Sequence, residues 1–110
     1  MTFETYTNIL VKRLEHLGYL SRNNGKTLSF YLPYYERTEG LNSDLFNIFY
    51  SANKVRYVED INDTFWSLVD YYDCESLDHL YNLAKKFVIQ SKKLQIKNKI
   101  KDIEKDFKNA

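Results

Sequence analysis

The sequence predicts an α+β domain: an N-terminal helix, a small antiparallel sheet of three to four strands, then a short helix and a long C-terminal helix. Three observations carry this expectation. A helix-period apolar run over Thr2–Leu17 stops at Gly18. Two strand-like runs flank Asn23-Asn24-Gly25. From Ser76 to Lys108 apolar residues recur every three or four positions, and no Gly or Pro follows Gly40 to interrupt them.

In the first helix Phe3, Tyr6, Ile9, Leu10, Leu14 and Leu17 make one apolar face, and Thr2 is placed to cap it. Gly18 ends it, because glycine enters the left-handed cap conformation without a Cβ penalty. Tyr19–Arg22 then reads as a short strand. Asn24-Gly25 suits a tight hairpin turn, with positive φ at both central positions. Thr27–Leu32 returns with Leu28, Phe30 and Leu32 on one side. Pro33 lacks the donor a ladder needs and ends this strand or sets it at an edge.

Tyr34–Ser43, with Gly40, reads as a loop. Phe46, Ile48 and Tyr50 alternate as a strand would; Leu41, Leu45, Ile48 and Ala52 would also line a helix. β-branched and aromatic content favours the strand, joined through Ser51–Asn53 to Val55–Glu59. Ile61–Tyr72 is expected to be the short helix, capped by Asn62 or Asp63, with Phe65, Trp66, Leu68, Val69 and Tyr72 giving its apolar contacts. Asp73–Glu75 links it to the long helix, for which Ser76 is the expected cap.

The long helix carries two stripes. Leu77, Leu80, Ala84, Phe87, Ser91 and Leu94 fall on one face and suit packing on the body. Ile89, Ile96, Ile100, Ile103 and Phe107 fall roughly 160° away, at about 100° per residue. Their last four members step four, three, four, as in a heptad seam. One small domain cannot bury both stripes of a straight helix. The chain is therefore expected to form a single domain over 1–110, with 95–110 a protruding helical tail.

The 110 residues include ten Tyr, seven Phe and one Trp. Tyrosine buries a ring while keeping its hydroxyl wet, which suits binding surfaces. The net charge of +1 is unevenly placed. Lys85 to Lys108 holds nine lysines against Asp102, Glu104 and Asp106, a net +6, and the remainder is −5. Between Tyr57 and Ala84 there are seven acids and no Lys or Arg. An acidic body thus bears a basic tail, a dipole that steers charged partners.

Cys74 is the single cysteine, so no internal disulfide forms, and a reducing, cytoplasmic setting is expected. Met1–Leu20 lacks the basic start and apolar run of a signal peptide. No stretch approaches the roughly 20 apolar residues of a membrane-spanning helix, so no membrane partner is expected.

Leu14-Glu-His-Leu-Gly18-Tyr-Leu-Ser-Arg22, the polar turn and Phe30-Tyr31-Leu32 together place a helix, an arginine and a hairpin in succession. Over Phe3–Leu32 the chain resembles the recognition helix and wing of winged-helix DNA-binding domains. The resemblance implies that Thr5, Thr7, Asn8, Lys12 and Arg13 face DNA, and that Arg22, Asn24 and Lys26 lie in or beside the wing. Phe30, Tyr31, Tyr34 and Tyr35, followed by Arg37, also offer rings and a guanidinium for stacking on unpaired bases.

Catalytic signals are thin. His79 follows Cys74 by five residues, with Glu75 and Asp78 near, but no second cysteine or third ligand completes a zinc set. Asp60, Asp63, Asp70 and Asp73 lack the spacing of a calcium loop. No catalytic residues, metal or cofactor are expected. The sequence points instead to a non-enzymatic accessory protein of a phage or other mobile element, docking on a larger protein as inhibitor or as subunit of a nucleic-acid enzyme. Its expected protein-binding residues are Trp66, Tyr71, Tyr72, Ile96, Ile100, Ile103 and Phe107, with self-association through the last helix included. Nucleic-acid binding through Asn8, Lys12, Arg13, Arg22 and Lys26 is the alternative.

Overall fold

The computed structural model describes residues 1–33, 35, 43–63 and 65–108, with side chains through Ile96. Most of the expected loop at Tyr34–Ser43, including Arg37, lies outside the described residues.

Helix α1 (Phe3–His16) begins where Thr2 accepts from the Thr5 amide at 3.1 Å and ends at Leu17. Beyond Leu17, Gly18 at φ +93 lets the Gly18 amide reach the Glu15 carbonyl and the Tyr19 amide reach that of Leu14. Both bonds satisfy carbonyls that a helix end leaves open.

Among the described residues five strands follow: β1 (Leu20–Asn23), β2 (Thr27–Tyr31), β3 (Phe46–Phe49), β4 (Lys54–Tyr57) and β5 (Ser67–Leu68). They form one antiparallel meander in the order β1-β2-β3-β4-β5. The α+β class stands, with one strand more than expected. Pro33 closes β2, which lies inside the sheet rather than at its edge. In the β1–β2 turn only Gly25 takes positive φ, at +92. Asn24 does its work differently from the expected paired left-handed turn: its side chain accepts from the amides of Lys26 and Thr27. The β3–β4 turn uses Asn53 at φ +49, a residue type that tolerates this region.

The expected helix at Ile61–Tyr72 is absent among the described residues of that stretch. Asp60 accepts from the Asn62 amide through its side chain and from the Asp63 amide through its carbonyl, closing a turn instead. Ser67 and Leu68 then pair with Tyr57 and Arg56 as β5, and the Val69 amide donates to Val55. Local apolar spacing suited a helix, but the open edge of β4 offered ladder bonds, and tertiary pairing prevailed.

Helix α2 (Cys74–Lys108) is 35 residues long. Its cap is Asp73, whose carboxylate accepts from the Ser76 amide at 2.8 Å; Ser76 was the expected cap. The Ser76 hydroxyl is engaged elsewhere, 2.6 Å from the Tyr6 hydroxyl.

Both helices cover one face of the sheet. Register places Phe30 beside Phe46 and Ile48 beside Val55 on that face. There they meet Tyr6, Leu10 and Leu14 of α1 and Leu77, Leu80, Ala84 and Phe87 of α2 in one buried core. The helices run in the same general direction: Tyr6 meets Ser76, Arg13 meets Asp78, and the Tyr19 hydroxyl donates to the Ala84 carbonyl at 2.8 Å. Burial raises the Tyr6 phenol to about 12, the Ser76 bond opposing it only in part. The first α2 stripe is buried as expected through Ser91, and Leu94 is half-buried.

Candidate interaction surfaces

Among the described residues three surfaces stand out once the core is assigned. The first is the far half of α2. At about 1.5 Å per residue, its 35 residues span roughly 52 Å. The molecule measures 59 Å along its long axis and only 25 and 22 Å across. Ile89 is 56% exposed and Ile96 59%, so the described part of the second stripe points away from the core. Backbone helix continues through Lys108, whereas the side chains of Ile100, Ile103 and Phe107 lie outside the described residues.

The second surface is the face of the sheet turned away from the helices. The same pairing that buries Phe46, Ile48, Val55 and Tyr57 sends their strand neighbours to the opposite face. Arg56 lies over the Phe49 ring at 4.9 Å and the Trp66 ring at 4.3 Å. Beneath it Asn47 is only 1% exposed. With its amide oxygen turned to Arg56, Asn47 accepts from Nε and Nη2 at 2.9 and 3.0 Å and donates to Ser29 Oγ at 2.7 Å. Burial lowers the Arg56 pKa from its ordinary value, and nearby Asp44 opposes that shift. Further along, Arg22 stacks on Tyr31 at 4.2 Å. This face therefore presents two ring-backed guanidiniums.

The third surface is a cleft of about 340 Å³ between the β4–β5 edge and the start of α2. Asp70, Tyr71, Asp73 and Glu75 line it, with Tyr57 and His79 stacked edge to face at 5.9 Å. Burial raises the Tyr57 pKa, and Glu59 and Asp70 add to the shift. Cys74 is exposed at the start of α2. Five helical steps turn His79 about 140° from it, so the two do not share a face. Among the described residues no three His, Cys, Asp or Glu side chains are placed to hold a metal. No helix of the described residues is long and apolar enough to cross a membrane.

The expected patch of Trp66, Tyr71 and Tyr72 is not one surface. Without the helix, the three side chains separate. Trp66 covers Arg56, and Tyr71, 76% exposed, lines the cleft. Tyr72 packs on Phe3 and Tyr6 and donates to the Asn53 carbonyl. The aromatic group around Tyr31 divides likewise: Phe30 is core, Tyr31 lies on the opposite face, and Tyr35 is buried with its hydroxyl donating to Ile61. Tyr34 lies outside the described residues.

On α1, Thr5, Asn8 and Lys12 are exposed. Thr7 turns inward instead, its hydroxyl donating to the Phe3 carbonyl at 2.9 Å, because it shares the face of Tyr6, Leu10 and Leu14. Arg13 meets Asp78 at 3.1 Å and lies over Tyr81 at 5.1 Å, in the seam between the helices. Lys26 is exposed at the hairpin tip. Sequence reading missed the Asn47–Arg56 cluster. Strand alternation over Asn47, Phe49, Lys54 and Arg56 was the available signal, but the contacts need the cross-strand register. No family model, curated protein or solved structure matches this chain.

Proposed function

We propose that this protein is a non-enzymatic interaction module whose docking element is the far half of α2. The observation that carries this reading is the exposure of Ile89 and Ile96 on a helix that runs past Ser91, the last buried residue among those whose side chains are described, to Lys108. Large apolar side chains flanked by lysines are an unfavourable solvent face, whereas burial of each contributes roughly 1.5–3 kcal/mol before entropy is discounted. In this role it would serve a phage or other mobile element by inhibiting or completing a larger nucleic-acid enzyme; the acidic-body, basic-tail charge pattern supports that class. The test is Ile100→Asp with Ile103→Asp. The expected variant keeps the stability of the body within about 0.5 kcal/mol in a thermal melt. It loses every stoichiometric partner that co-purifies with the wild type from its native host. Unfolding of the whole domain would instead assign the tail to the core and end this reading.

A second reading is single-stranded nucleic-acid binding on the open sheet face. Arg22 on Tyr31 favours it, since an exposed ring-backed guanidinium suits both phosphates and base planes, and Arg56, held by Asn47 and covered by Trp66, adds positive charge to the same face. Lys26 extends the same edge. Arg22→Ala with Lys26→Ala is expected to weaken binding in a mobility-shift assay and to reduce its salt slope by about one to two contacts. Absence of binding by the wild type at micromolar protein near physiological salt removes this reading.

A further inference from the structure

The geometry points to a second copy of this chain as the occupant of the α2 seam, paired antiparallel with Ile100 opposite the partner's Ile103. This rests on the docking reading above and names its partner. Side chains from residue 97 onward lie outside the described residues, but the backbone is helical through Lys108, so register positions follow from the sequence. Ile89, Ile96 and Ile103 recur every seven residues, and Lys93, Ile100 and Phe107 fill the alternate seam positions.

Charge selects the register. With Ile100 opposite the partner's Ile103, Ile96 stands opposite the partner's Phe107. Lys97 then flanks the partner's Glu104, and Lys99 flanks the partner's Asp106, each pair occurring twice by symmetry. All four flanking pairs are attractive. The parallel arrangement keeps one attractive flanking pair, Lys99 with the partner's Glu104, but sets Lys93 against Lys93 in the seam and Lys92 beside Lys97. An antiparallel shift of one heptad brings Ile89 to Phe107, but it seats Lys93 against Ile103 and sets Lys97 against Lys97 and Lys99 against Lys99.

Length agrees with the same choice. Antiparallel pairing about Ile100 and Ile103 overlaps residues 95–108 of both helices, a contact of roughly 21 Å. The overlap starts one residue past Leu94, the last described residue of α2 packed against the core. Two heptads give a reversible dimer, not an obligate one.

The test combines sedimentation with charge reversal and disulfide capture, in full chains carrying Cys74→Ala. The wild-type sequence is expected to show a concentration-dependent monomer–dimer equilibrium. Lys97→Glu, which makes both of its pairs repulsive, should weaken the dimer by about tenfold or more. Adding Glu104→Lys to the same chain should restore it. Chains with Ile96→Cys, mixed with chains carrying Phe107→Cys, should oxidise to a mixed disulfide, and neither alone should cross-link. A monomer at every concentration, no effect of Lys97→Glu, self-cross-linking of Ile96→Cys, or capture of Ile89→Cys by Phe107→Cys in its place would each overturn the assignment. A wild-type monomer whose tail variants keep the body folded and lose a different partner ends self-pairing but leaves the docking reading. Unfolding by Ile100→Asp with Ile103→Asp ends both.

Discussion

Phe87→Ala is expected to destabilise the domain by about 3–5 kcal/mol, a large share of the roughly 5–15 kcal/mol that holds a small domain folded. Phe87 is fully buried, with its ring 6.0 Å from that of Phe46, and it joins the core half of α2 to the centre of the sheet. Truncation removes the ring's burial and leaves a void that neighbouring strands cannot collapse to fill. Ile89, two positions on, faces the other way, so Ile89→Ala should change stability by less than about 0.5 kcal/mol. Urea unfolding of both variants checks this. The expected result is a large midpoint shift for Phe87→Ala, an unchanged slope for both, and almost no shift for Ile89→Ala. Equal losses would mean that Ile89 is buried in solution.

Alkaline pH should destabilise the fold by about 2–3 kcal/mol through Tyr6. Its phenol titrates near 10.0 when unfolded and at about 12 in the fold, because burial disfavours the phenolate. The folded state therefore holds its proton more tightly than the unfolded state. That advantage is complete below pH 10, and it falls away as pH rises through 10 to 12. Tyr57 and Tyr72, raised chiefly by burial, act in the same direction. Tyr6→Phe removes the bond to Ser76, at a cost of about 1 kcal/mol near neutral pH. It should also flatten the alkaline decline. Denaturant titrations across that window, wild type against Tyr6→Phe, measure both effects; parallel declines would assign the alkaline loss to other groups.

How legible these features were depended on how far their causes lay apart in the chain. Thr2, Gly18 and the stripe from Leu77 to Leu94 act within one or two helical turns, and each was readable. The segment Ile61–Tyr72 was not, because its apolar spacing satisfied a helix while its structure depended on the free edge of β4. The cap of α2 failed for a related reason. Asp73 and Ser76 both suit a cap, and the choice follows from Tyr6, seventy residues away, which engages the Ser76 hydroxyl. The Asn47–Arg56 pair likewise exists only once β3 and β4 are in register. Of the candidate docking residues, Ile96 lies where the helical pattern put it, whereas Trp66, Tyr71 and Tyr72 were grouped by a helix that does not form.

The meander also keeps the contacts of the sheet close in sequence. Each strand pairs with its neighbour in sequence, so the sheet closes by short steps, and such local contacts form early. The bonds that tie α1 to α2 span 65 to 70 residues. On the ribosome, Leu10, Phe46 and Ile48 emerge well before Phe87 can cover them. At roughly 5–20 residues per second, the interval between Phe46 and Phe87 lasts seconds. Once Leu68 has emerged the sheet can close with α1 on its apolar face, while the part of that face covered by Leu77, Leu80, Ala84 and Phe87 stays open to chaperones and to its neighbours. α2 closes over that part of the face, so the same helix that carries the exposed seam emerges after the sheet it covers.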